Sequence, residues 1–284
     1  MDLAPIMGLD LLNQLPLAWI SEHLMGIEPI AGLSWLGISK HVVVMLIAAV
    51  LLLLVFVPFG KAVSAGPVPR GPMTNALESV LLFLRDEVAR PFLGQEGDKF
   101  LPVIWTFFFF ILFCNLLGLV PIPVKVPIDH HGQTQWMWFG AVTATGKMQV
   151  TGTLAFMAFA WYHAAGIKAQ GLVPYIRHIV PGGVPLLLVP LIAVLEVVGH
   201  IVKPCALMIR LWANMTGGHA VLYAVLNFVF AFGILGAAAL AGMSVVTVVG
   251  GFAVVCLEIF VAFLQAYVFT FLVVVFLGGS LHPH

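Results

Sequence analysis

The sequence predicts an all-α polytopic membrane protein with about five membrane helices, the last two forming a long tilted hairpin. Three observations carry that prediction. Of 284 residues, 62% are hydrophobic and only 8% charged, with a mean hydropathy of +1.11. Soluble domains carry about 25% charged residues, so this chain cannot cover a water-facing surface and lipid must be most of its solvent. Runs close to the roughly 20 apolar residues that a membrane helix needs recur along the chain. From Pro185 to Leu281 the chain is apolar almost throughout, broken weakly near Ala231–Ser244.

The elements follow in order. Met1 to Leu33 holds no Lys or Arg and lacks the basic start and short apolar core of a signal peptide. A short interfacial helix is expected around Leu11–Leu24. The first span is His41–Phe59, ending at Pro58 and Gly60. After a Gly/Pro-rich loop, Thr74–Pro91 places Leu77, Val80, Leu81, Leu84 and Val88 at helical spacing, with Glu78, Arg85, Asp86 and Glu87 elsewhere around the wheel. That pattern predicts one amphipathic helix lying on the membrane surface. Phe100–Val120 is the second span. The polar stretch Pro121–Gln149 reads as an extracytoplasmic loop forming a small β-hairpin, and Val150–Ile167 as the third span. Two stretches of about 40 residues then remain, each reaching roughly 60 Å as a helix, too long for an upright crossing. Tilted or kinked helices in a hairpin over 184–281 satisfy that length. No repeat period appears, and one domain, 1–284, suffices.

Basic residues orient the chain. Lys61, Arg70, Arg85, Arg90 and Lys99 lie between spans one and two, against only Lys40 in the N-terminal segment. The segment 1–40 is therefore expected outside, the 60–100 loop in the cytoplasm and, after five spans, the C-terminus in the cytoplasm. Lys125 and Lys147 balance Lys168 and Arg177 and decide nothing further. The 12 basic and 12 acidic residues cancel, which gives no argument for a nucleic-acid partner. Cys114, Cys205 and Cys256 lack CxxC spacing and read as small buried hydrophobes.

Ionisable groups inside membrane helices cost at least about 2.5–3.5 kcal/mol each and mark function by default. Between Val184 and Gly278 they are Glu196, His200, Lys203, Arg210, His219 and Glu258, with Asn214, Asn227 and Gln265 as polar neutrals. At about 100° per residue Arg210 shares a face with Asn214, Glu196 with His200, and Glu258 with Gln265. Glu196 lies about 21 Å before Arg210 and within about 40° of its azimuth, whereas His219 points to the opposite side. Structural readings stand beside the functional ones. Lys203 can snorkel to an interface, a histidine can be a satisfied packing residue, and Arg210 can be held in a permanent pair with Glu196 or Glu258. Arginine keeps its proton, so Arg210 is a fixed cation that cannot relay protons, whereas glutamate and histidine can. It would attract a carboxylate on a passing partner and repel a free proton.

The run from Leu195 to His219, with Lys203-Pro204, Arg210-Leu211, Asn214-Met215 and Gly217 before His219, resembles the signature of subunit a of F-type rotary ATP synthases. Glu258, Gln265, Ala266 and Tyr267 on the last helix and the Asn115-Leu-Leu-Gly118-Leu-Val-Pro121 turn resemble two further marks of that family. The resemblance spans roughly residues 40 to 281. It implies a proton-translocating stator subunit with two offset half-channels, coupling proton flow to ATP synthesis beside a rotating c-subunit ring. The implied partners are that ring, a b-subunit peripheral stalk, other ATP synthase subunits, membrane lipid and protons. The implied location is a bacterial inner membrane or equivalent energy-coupling membrane. It makes Arg210 the essential arginine facing the ring carboxylate, Asn214 and Gln265 its flanks, and Glu196, His219 and Glu258 the pathway lining. Asn115, His200, Asp129, His130 and His131 are candidates for a channel entrance. Some relatives carry an acidic residue where this chain has Gly118, which leaves that position without its access role.

No cofactor or metal is expected, and no GxxxxGK[ST] phosphate loop occurs, so ATP chemistry belongs to other subunits. A secondary proton or cation antiporter is the alternative use of the same buried charges, but it predicts discontinuous helices in two matching halves, and no such internal repeat appears. An intramembrane enzyme would want a motif such as HExxH or GxSxG, and neither occurs.

Overall fold

A computed structural model of the chain describes residues 40–64, 71–120, 123–127, 134–138, 144–177, 189–233 and 237–281. The expected N-terminal interfacial helix lies outside the described residues. The first helix, α1 (Lys40–Ser64), runs through Pro58 rather than stopping there. Proline removes one backbone donor, and the helix carries the loss for six further residues. His41, Val44 and Ala48 are buried on one stripe at helical spacing, against a cluster that includes Cys114 and Ala144. Leu46, Leu53 and Leu54 are more than half exposed, as suits a helix whose other sides face lipid.

The helix expected over Thr74–Pro91 begins as α2 (Pro72–Phe83), passes through a π-helical turn (Leu84–Ala89), and ends as α3 (Arg90–Leu93). Leu81, Leu84, Val88, Ala89 and Leu93 are buried. In an unbroken α-helix Leu93 would sit about 120° from Leu81. The wider π turn inserts one residue and brings Leu93 back over the core. On the outward side Arg85 donates two hydrogen bonds to the Asp86 carboxylate, at 2.9 and 3.1 Å. Those bonds, with the positive charges of Arg85 and Arg90, hold the Asp86 carboxyl below its ordinary range.

After a 3-10 turn (Gln95–Phe100), α4 (Leu101–Leu119) occupies the middle of the molecule, with α1 on one side and the C-terminal helix on another. Ile104, Phe108, Ile111, Leu112 and Asn115 are buried along it. Two five-residue strands, β1 (Pro123–Pro127) and β2 (Thr134–Trp138), pair antiparallel, Pro123 opposite Trp138. A further 3-10 turn (Ala144–Gly146) leads into α5 (Met148–Gln170), and Gly171, at φ 87°, reverses the chain into α6 (Leu172–Arg177).

Two helices of 45 residues, α7 (Val189–Gly233) and α8 (Ala237–Leu281), complete the chain. Each is about 68 Å long, more than twice the roughly 30 Å of membrane hydrocarbon. The weak break expected near Ala231–Ser244 contains the junction between them. One stripe of α8 is buried against α7, α4 and α5, and it carries Glu258, Ala262, Gln265, Phe269, Val273 and Leu277. The turn-by-turn spacing of these positions keeps two polar groups in line with the apolar core.

Among the described residues, His41–Ser64, Gly97–Leu119 and Val248–Leu281 are long and apolar enough to cross a membrane. The expectation for the cysteines needs correction: Cys114 is buried, but Cys205 and Cys256 are exposed. An apolar side chain in lipid needs no protein around it, so hydrophobicity does not imply an inward position here.

Candidate functional site

Arg210 lies near the middle of α7, exposed, with Asn214 one turn further on and on the same face. The Asn214 side-chain amide donates a hydrogen bond to Gln265 Oε1 at 2.7 Å, tying α7 to α8. Gln265 is 1% exposed, so its polar group needs a partner in place of water, and Asn214 supplies one. The sequence pairing of Arg210 with Asn214 and of Glu258 with Gln265 thus becomes one seam between two helices.

Two turns along that seam, Glu258 is buried at 6% exposure. Its carboxyl lies over Gly218, where a Cβ would meet Glu258 Oε1 at 2.8 Å. A side chain at position 218 would push the Glu258 carboxyl out of this place. A cavity of about 280 Å³ opens at this point, lined by Asn115, Asn214, Gly217, Gly218 and Glu258 together with apolar side chains. Asn115, fully buried near the end of α4, accepts a hydrogen bond from Thr145 Oγ1 at 2.6 Å. Its Nδ2 has no hydrogen-bond partner among the described residues. Arg210 forms no ion pair among the described residues, and Glu258 sits by Gly218, about 12 Å along α7 from it. The structural alternative of a fixed Arg210–Glu258 pair therefore fails.

The backbones of Glu196 and His219 belong to α7, while their side chains lie outside the described set, as do Asp129, His130 and His131. His200, grouped with Asn115 as an entrance residue, is not near it. Ten residues before Arg210, it stacks on His163 of α5 with ring centroids 5.2 Å apart. Nothing in the sequence pattern marks Thr145, Gly218 or His163. Each matters through a contact with another helix, and no spacing within one segment reveals such a contact.

Fold and site together define a helical membrane protein with a polar seam between two long C-terminal helices and a cavity at one end of it. The pattern of the family described as ATP synthase A chain matches residues 42–278. The chain is 42% identical to ATP synthase subunit a of Myxococcus xanthus, over 88% of this chain and 75% of that one. It is 38% identical to ATP synthase subunit a of Chloroherpeton thalassium, over 90% and 69% of the two chains. A similar match, 38% over 90% and 66%, is made to ATP synthase subunit a 2 of Chlorobaculum tepidum. The chain belongs to the ATP synthase subunit a family. It is an integral membrane protein of the apparatus for ATP synthesis and proton transport, and other subunits of that complex are its neighbours.

Proposed function

We propose that the chain is the proton-conducting stator subunit of an F-type ATP synthase, with two half-channels separated by Arg210 beside a rotating ring of c subunits. The carrying observation is the seam: a permanent cation exposed on α7, a bonded Asn214–Gln265 pair beside it, and Glu258 at a cavity further along. A proton reaching the cavity passes by way of Glu258, with His219 as a further station, to a carboxylate on the ring, while Glu196, on the other side of Arg210 along α7, lines the second half-channel. The neutralised carboxylate can then face lipid as the ring turns. When it meets the second half-channel it releases the proton, and the guanidinium of Arg210 favours the ionised site that results. Because Arg210 holds its proton permanently, no direct hop crosses between the two channels. One charge falling through 100 mV releases roughly 2.3 kcal/mol, so several must pass for each ATP made on other subunits.

The same reading takes the chain as one domain with five spans, an extracytoplasmic N-terminus and strand pair, a cytoplasmic C-terminus, and a b-subunit stalk as a further partner. Asn115 and Thr145 line the approach to the cavity, with Asp129, His130 and His131 at its outer mouth. The test is Arg210→Ala in the assembled complex, in inverted membrane vesicles. ATP-driven proton pumping should disappear while the complex stays assembled; pumping at the unaltered rate would overturn the proposal.

A further inference from the structure

A second group of titratable side chains lies at the other end of the long helices, and the sequence motifs do not include it. His163, in the middle of α5, shares a short hydrogen bond through Nδ1 with the Tyr175 hydroxyl of α6. Its ring stacks on His200 of α7 at 5.2 Å, inclined by 29°. Its Nε2 is buried and has no hydrogen-bond partner among the described residues; neither has the hydroxyl of Tyr162, a residue 3% exposed. Lys203, one turn beyond His200, lies with Nζ 5.5 Å from the Phe276 ring of α8. Among the described residues, the titratable groups set around His163 are Tyr162 of α5, Tyr175 of α6, and His200 and Lys203 of α7.

The backbone is arranged to bring these groups together. A Cβ on Gly166 would meet Tyr175 Cε2 at 2.7 Å and Ser280 O at 2.9 Å, so α6 and the end of α8 close on α5 only because that position is glycine. Gln170 donates to Ser280 O at 2.8 Å and Leu281 O at 3.2 Å, satisfying carbonyls that a helix end leaves open. His200 precedes Arg210 by about 15 Å along α7, and Gly218 follows it by about 12 Å. The two polar groups are therefore about 27 Å apart along that helix, close to the hydrocarbon thickness, with the fixed cation between them. Lys203 lies seven residues before Arg210, which puts both on one face.

We propose that His163, bonded to Tyr175 and stacked on His200, is a proton-transfer site of the half-channel on the side of Arg210 away from Glu258. This rests on the stator reading and adds the residues of the second channel. A proton arriving from the His200 side forms an N–H bond at His163 Nε2. The proton on Nδ1 passes to the Tyr175 oxygen, and the hydroxyl proton of Tyr175 leaves to water. One proton enters and one leaves, and a tautomeric exchange restores the ring. Imidazole suits this duty because its two ring nitrogens let it take a proton at one and give one up at the other.

The test uses the whole ATP synthase in inverted vesicles, measuring ATP-driven pumping from pH 5.5 to 9 and passive proton leak after removal of the catalytic sector. His163→Phe, which keeps a stacking ring, should lower both by about tenfold or more and move the pH optimum, with ATP hydrolysis by the detached catalytic sector unchanged. Tyr175→Phe, which removes only the hydroxyl, should produce a smaller change of the same kind and serves if His163→Phe fails to assemble. An unchanged rate and pH profile in the assembled variant overturns the proposal. Arg210→Ala run alongside separates the two claims. If it abolishes pumping while His163→Phe changes nothing, only the second-channel assignment falls. If it leaves pumping intact, the stator reading falls first.

Discussion

At the scale of single residues, the seam depends on contacts of different kinds. Asn214→Leu removes the donor to Gln265 Oε1 and leaves a buried amide unmet. Polar pairs between membrane helices are worth about 0.6–1.7 kcal/mol, so the purified complex should melt slightly earlier rather than fail to assemble. A thermal scan against the parent complex measures this. Gly218 is more sensitive, because any added Cβ falls 2.8 Å from the Glu258 carboxylate oxygen. Gly218→Val should displace Glu258 and cut pumping severely, whereas Gly217→Ala, with nothing within 4 Å of its Cβ, should leave the packing of α7 on α8 unchanged. Pumping rates of the two variants, with the amount of assembled complex as control, would separate steric displacement from a general effect on the helix. Arg210 and Glu258 were legible in the sequence because a charge in an apolar run is costly wherever it lies. Thr145, Gly218 and His163 were not, since a threonine, a glycine or a lone histidine is ordinary in a span until its neighbour across the interface is known.

At the scale of elements, length and apolar periodicity gave the helices well and their ends less well. Proline was expected to end the first span, yet α1 continues past Pro58 to Ser64. The amphipathic helix carries the more instructive difference. Its apolar spacing fits one regular helix over Thr74–Pro91, but the π turn over Leu84–Ala89 resets the phase so that Leu93 joins Leu81 in the core. Adding one alanine after Glu87 should turn Leu93 about 100° out of the core and lower the amount of chain retained in membranes. Deleting Glu87 removes the extra residue, keeps Leu93 inward and should be tolerated better. Quantitative blotting of washed membranes compares the two. The opposite ranking would mean that the π turn does not set the phase.

At the scale of the whole molecule, α7 and α8 bring into one structure what the chain keeps some fifty residues apart. Their exposed faces include Arg210, and Val248, Phe252, Leu257 and Phe260 are also exposed on α8. An antiporter working alone and a stator working on a ring differ here in a measurable way. Mild detergent extraction of the tagged chain should bring down a small two-helix ring protein, and the chain alone should carry no ATP-dependent proton flux. Recovery of an active, unaccompanied chain would favour the antiporter.

By itself the sequence determined that the chain lives in lipid, that two very long helices end it, and that Arg210 is a permanent charge among groups able to titrate. Composition, length and proton affinity are properties of residues, and they survive without knowledge of the fold. Tertiary structure alone decided which of those groups meet. It joined Asn214 to Gln265, set Glu258 over Gly218 beside a cavity with Asn115, and moved His200 away from that cavity to stack on His163. Helical periodicity fixes the face a residue occupies on its own helix, but only the packing of one helix on another fixes what that face touches.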